Sequence, residues 1–181
     1  MRIVLVAIST LVLGFAAVRA QEAVYITAFE SNVYFDVPDT TRWEVVRDEL
    51  DTIKQKRILM FKHSPIKDSK GRMVSPVIAM IIDSVPDSTD LVMYSAYKRF
   101  AVQYTVTKVL APSPEQFSYE NAFGYLGTYT SYKVKHSIIV AHMIYKNLGV
   151  EIICDATTEL MPKVRKECNA FVKSIHFNEE E

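Results

Sequence analysis

Apolar and polar residues alternate with a period of two over Val33, Tyr34, Phe35, Asp36 and Val37, the pattern of a half-buried strand. A second extended run, Ala23 to Phe29, precedes it across Glu30-Ser31, and Pro38-Asp39 ends it. Thr40 to Asp51 supports two readings. One is a short helix capped by Thr41, with Trp43, Val46 and Leu50 on one side; the other is a strand anchored by Trp43. In either case Trp43 is a large apolar surface that belongs in the core. Lys56 to Asp83 predicts a long β-hairpin, Arg57–Lys62 against Val74–Ile82, joined by the polar loop HSPIKDSKGR. Pro76 has no N–H to give a ladder, so the second arm should start at an edge or bulge. Asp87-Ser88 predicts the cap of a helix reaching about Tyr104, with Met93, Tyr97, Phe100, Ala101 and Tyr104 as its packing stripe. Val106–Ala111 and Tyr125–Thr130 predict further strands, and the pattern does not place the turn between Thr130 and Ser137.

The stretch from Val134 to Ile175 organises the chain. Ser137 to Tyr145 is apolar on both alternating faces, which suits a strand buried from two sides. Asn147, Leu148 and Gly149 are the expected positive-φ positions of a short hairpin turn. In the returning strand Val150, Ile152 and Cys154 share one face, and Glu151 and Asp155 the other. Pro162 opens a helix whose Met161, Val164, Cys168, Phe171 and Ile175 form one apolar stripe. That helix should pack on the face bearing Ile152.

The first residues change the picture. Met1-Arg2, the apolar run Ile3–Leu13 and the small residues flanking Arg19 in Val18-Arg19-Ala20 have the layout of a secretory signal peptide over residues 1–20. Cleavage is expected between Ala20 and Gln21, and no cysteine lies there to take a lipid. Residues 21–181 then form a single domain, exported to the periplasm or the medium, with no stable membrane insertion after cleavage. The 21 basic residues less Arg2 and Arg19 leave 19 against 21 acids, which offers no electrostatic case for nucleic acid.

Candidate chemistry is sparse. No nucleophile elbow, zincin helix, paired-cysteine motif or phosphate loop is present. His136 and His142 share strand parity but lie about 20 Å apart at about 3.3 Å per residue, too far to hold one metal. His142, among apolar neighbours, is expected as a hydrogen-bonded core histidine. No catalytic, metal or cofactor residues are assigned, and no cofactor is expected. Tyr125, Tyr129 and Tyr132 are candidate interface residues, since Tyr125 and Tyr129 share a parity that an exposed aromatic row would use. Cys154 and Cys168 face the same core. A disulfide needs Cα atoms about 4.4–6.8 Å apart, whereas packed layers lie about 10 Å apart and the two residues fall out of level. Two buried thiols are therefore expected, against the oxidising compartment.

Four features together resemble the PsbP-like superfamily, which includes PsbP of photosystem II, the Ran-binding import factor Mog and the exported protein DcrB. They are Val33-Tyr34-Phe35-Asp36-Val37-Pro38 followed by Trp43, Pro76-Val77-Ile78, a Tyr-bearing helix near Ser95–Tyr104, and Phe171-Val172-Lys173-Ser174-Ile175. The resemblance implies an α+β fold, an antiparallel β-sheet sandwiched between helices in an α/β/α arrangement. It implies little about function, because the fold hosts many roles. The favoured expectation is an exported, non-catalytic binding or accessory protein of the cell envelope with an unknown protein partner. Two others stand beside it: a carrier of a small apolar ligand, and a small exported hydrolase without a recognisable motif.

Overall fold

The computed structural model describes residues 23–28, 31–101 and 103–177. The chain begins with β1 (Ala23–Ala28), β2 (Ser31–Asp36), β3 (Trp43–Asp51) and β4 (Lys56–His63). Two short strands, β5 (Ile66–Lys67) and β6 (Met73–Val74), lie in the polar loop before β7 (Val77–Ser84). Then come α1 (Leu91–Ala101), β8 (Thr105–Leu110), β9 (Ala122–Ser131), β10 (Val134–Tyr145), β11 (Leu148–Thr157), α2 (Met161–Ser174) and β12 (His176–Phe177). Seven strands form one sheet in the order β3-β4-β7-β11-β10-β9-β8, and β1-β2-β12 form a smaller one. Every pairing among the described residues is antiparallel. Among the described residues the fold is α+β, mostly antiparallel sheet with two helices.

Thr40–Asp51 resolves as a turn over residues 40–42 followed by the strand Trp43–Asp51. Trp43 through Asp51 pair with His63 back to Lys56, and Asp51 Oδ1 accepts the Ile53 and Lys54 amides to close the turn. Pro76 stands just ahead of β7, where its missing N–H costs no ladder bond. The turn between Thr130 and Ser137 is a two-residue loop, Tyr132-Lys133, both at positive φ (47° and 63°), between partners Ser131 and Val134. The β10–β11 turn differs from expectation. Tyr145 pairs with Leu148, so the loop is Lys146-Asn147 and Lys146 takes the positive φ of 50°. Leu148 and Gly149 lie in the strand.

The core follows from parity. Ile139, Ala141 and Met143 of β10 and Val150, Ile152 and Cys154 of β11 share a face with Ile78, Met80 and Ile82, all buried. Onto this face α2 lays Met161, Val164, Cys168 and Phe171, the expected stripe, with Val172 added. Phe171 meets Phe35 and Phe61 edge-on, at 5.7 and 5.5 Å between ring centroids. Trp43 is buried and donates from Nε1 to Glu167 Oε2 at 2.5 Å, tying β3 to α2. The thiols of Cys154 and Cys168 are free and buried, and they meet in a thiol–thiol hydrogen bond.

Candidate functional site

The other face of the sheet carries Tyr125, His142, Glu151 and Asp83, and here α1 docks. Asp90 caps the helix, accepting the Met93 amide at 2.7 Å. The helix is inverted. Tyr94, Ser95 and Lys98 are buried, whereas Val92, Met93, Tyr97 and Phe100 are 72, 59, 74 and 90% exposed. The apolar stripe expected to pack therefore faces outward, a correction with a plain cause. The sheet beneath presents carboxylates, an imidazole and a phenol, and burying charges and hydroxyls there is tolerable only against polar partners.

Those partners are complete. Lys98 Nζ lies 2.5 Å from Asp83 Oδ2 and 3.3 Å from Glu151 Oε2. Tyr94 donates its hydroxyl to Asp83 Oδ2 at 3.0 Å. Ser95 Oγ is 2.9 Å from both the Tyr125 hydroxyl and His142 Nδ1, and His142 Nε2 is 3.4 Å from Glu151 Oε1. Burial pushes the Glu151 carboxyl up, but the hydrogen bond from His142 and the charge of Lys98 outweigh it and hold the group below its ordinary value. Glu151 is thus a carboxylate that can only accept, so Nε2 of His142 carries a proton toward it. Burial, with Asp83 and Glu151 nearby, pushes the Tyr94 phenol well above its ordinary value.

Ser95, His142 and Glu151 are the residue types of a hydrolytic triad, and they lie in a hydrogen-bonded row. Their placement serves another purpose. The three are only 1, 0 and 5% exposed, and Ser95 Oγ is already shared between His142 and Tyr125. A nucleophile needs room beside it for a reacting atom. This row fastens a helix.

Beside the C-terminal half of α1 an open cleft of about 840 Å³ runs between that helix and β8–β9, lined by Ala96, Arg99, Phe100, Tyr104, Thr128 and Tyr129 among others. Gly127 lies under the Tyr104 ring: a Cβ there would stand 2.7 Å from Tyr104 Cδ2, so only glycine lets that ring lie down on β9. The Arg99 guanidinium sits 5.5 Å from the Tyr125 ring centroid. Burial, with Tyr125 nearby, pushes the Tyr104 phenol to about 12, against the opposing charge of Arg99. On the far wall Tyr129 donates its hydroxyl to Asp155 and stacks on His136, whose Nδ1 is 2.9 Å from Asp155 Oδ1. Burial and that carboxylate push the Tyr129 phenol up.

The expected aromatic row does not form. Tyr125 is covered by α1, Tyr129 lines the cleft, and only Tyr132, in the β9–β10 turn, is fully open at 99%. His142 is in the core and hydrogen-bonded as its neighbours indicated. Ala20 and Gln21 lie outside the described residues. Among the described residues no three of His, Cys, Asp and Glu gather as a metal would need, and no helix is long and apolar enough to cross a membrane.

No family model matches this chain, and no curated protein sequence matches it. Among solved structures, the crystal structure of LpqN, described as involved in cell envelope biogenesis of Mycobacterium tuberculosis, is similar over 87% of this chain and 91% of that one. The TM-score is 0.61 and the identity 10%, so the likeness is one of fold.

Proposed function

We propose that this chain is an exported, non-catalytic binding or accessory protein of the cell envelope, and that it engages a protein partner through the outer stripe of α1. The observation that carries the reading is the inversion of that helix. Val92, Met93, Tyr97 and Phe100 recur at helical spacing and stand open to solvent, while the polar residues of the same helix are spent on docking. A contiguous exposed apolar patch on a stable scaffold is the usual mark of an interaction face. The N-terminal layout of Arg2, apolar run and Val18-Arg19-Ala20 supports export. The fold shared with an envelope-biogenesis protein agrees with an envelope role, and we read that fold as PsbP-like, with α1 and α2 on opposite faces of the sheet. The exported-hydrolase alternative needs Ser95 within reach of substrate, and the carrier alternative needs an enclosed apolar chamber; the sealed row and the open cleft favour neither.

A photo-crosslinking residue placed at Tyr97, compared with one at exposed Lys163 on α2, tests this in the exported fraction. A discrete adduct from position 97 that disappears when Val92→Ser and Met93→Ser are added supports the reading. The same adducts from both positions would sink it.

A further inference from the structure

The cleft beside α1 brings together Arg99 and Tyr104, which the docking stripe does not use, and Phe100, which it shares. Arg99 is a permanent cation with no carboxylate partner among the described residues; its neighbour is the Tyr125 ring. Tyr104 presents a buried hydroxyl with no hydrogen-bond partner among the described residues. Its nearest countervailing charge is that same Arg99. Phe100, 90% exposed, and the Tyr104 ring supply apolar surface on either side of the guanidinium. The one carboxylate close to the far wall, Asp155, is already engaged by Tyr129 and His136, so it leaves Arg99 uncompensated.

From this charge pattern we infer that the cleft is a binding site for a small amphiphile with a carboxylate head, seated on Arg99 with its apolar body along Phe100 and Tyr104. The guanidinium fork matches a carboxylate with two parallel N–H···O bonds. The volume, about 840 Å³, lies within the range of small-molecule sites, and an apolar wall with a few convergent polar groups is their usual make-up. The two readings share Phe100, but they are separable, since Val92, Met93 and Tyr97 lie outside the cleft lining.

Titration of the exported full chain with octanoate, octanol and octylamine tests it, by calorimetry and by the ligand-induced rise in melting temperature. Wild type should bind octanoate at least roughly tenfold more tightly than octanol, the scale of one charge-assisted pair, and octylamine should be excluded. Arg99→Gln should remove that preference. Tyr104→Phe keeps the ring that walls the cleft and deletes only a sealed, unpartnered hydroxyl, so it should bind octanoate as wild type does. Val92→Ser with Met93→Ser should leave octanoate binding unchanged even where it abolishes protein capture. Equal affinity for octanoate and octanol, no octanoate binding at millimolar concentration, or octanoate binding undiminished by Arg99→Gln would each overturn the proposal.

Discussion

Gly149 lies flat under Tyr94: a Cβ built on the glycine would stand 2.3 Å from Tyr94 Cε2 and 2.6 Å from Cζ. Its φ is not in the left-handed region, so the glycine serves close approach and not turn geometry. The aromatic ring has no flexible end that can yield. Gly149→Ala should therefore lift the N-terminal half of α1, at a cost of about 1–3 kcal/mol for an overpacked contact. Urea unfolding checks the loss. A companion Tyr94→Leu change, which empties the space, should recover part of it, and no recovery would mean that the contact is misplaced.

Lys98 holds two carboxylates, half-buried Asp83 and buried Glu151, on the underside of α1. Lys98→Met removes their cation and leaves only the hydrogen bonds from Tyr94 and His142, and breaking a buried ion pair costs about 3–5 kcal/mol. Denaturant midpoints would measure this. A loss under 1 kcal/mol at neutral pH would show that the helix is held by its packing alone.

The same cluster fixes a pH dependence. Glu151 has its carboxyl held below its ordinary value of 4.5 in the folded state. A depressed carboxylate binds fewer protons folded than unfolded, so its stabilisation is whole above about pH 4.5 and fades as pH falls through the lowered folded value. Wild type should lose stability over that acid window, and Glu151→Gln should show a shallower acid slope. Parallel slopes in the two proteins would exclude Glu151 as the titrating group.

Strands, the C-terminal hairpin and the α2 stripe were legible because each buries one regular face against apolar neighbours. The α1 site was hidden for the opposite reason. Periodicity marks which residues of a helix lie together, but not which side meets the sheet, and apolar Val92, Met93, Tyr97 and Phe100 outnumber their polar counterparts. The missing signal was register. With the turn at Lys146-Asn147, Tyr145 pairs with Leu148 and His142 falls opposite Glu151, two polar groups on one buried face. A turn at Asn147–Gly149 slips that register and separates them. Lys146 at positive φ carries no turn signature of its own, nor do Tyr132 and Lys133, so both hairpin turns were obscured by the same residue chemistry.

Ile152 and Phe171 both lie buried in the core on the α2 face of the sheet. Truncation of either to Ala should cost about 2–5 kcal/mol, the transfer term plus an unfilled cavity. Thermal or urea unfolding measures it, and a loss below about 1 kcal/mol at both would reverse the face assignment.

Export carries its own test. The Val18-Arg19-Ala20 layout predicts a mature chain beginning at Gln21. Intact-mass measurement of the exported protein should return that start, whereas a mature form retaining Met1 would show that residues 1–20 are not removed.

The cysteines pit compartment against chemistry. Cys154 and Cys168 are buried, and the hydrogen bond that the Cys154 thiol donates to Cys168, then burial, push that thiol well above its ordinary value. The thiolate is the form that attacks a disulfide or an oxidant, so this pair is poorly reactive although the sulfurs meet. Exported proteins are exposed to oxidation, and side-chain contact alone does not bring two Cα atoms to the spacing a bridge requires. Both thiols should therefore persist. Labelling the native protein should modify neither, because both are sealed in the core. Labelling in denaturant without reductant should modify both. A protein with no reactive thiol after unfolding, and a monomer mass lower by two protons, would show that the compartment prevails and that the α2–sheet contact closes a disulfide.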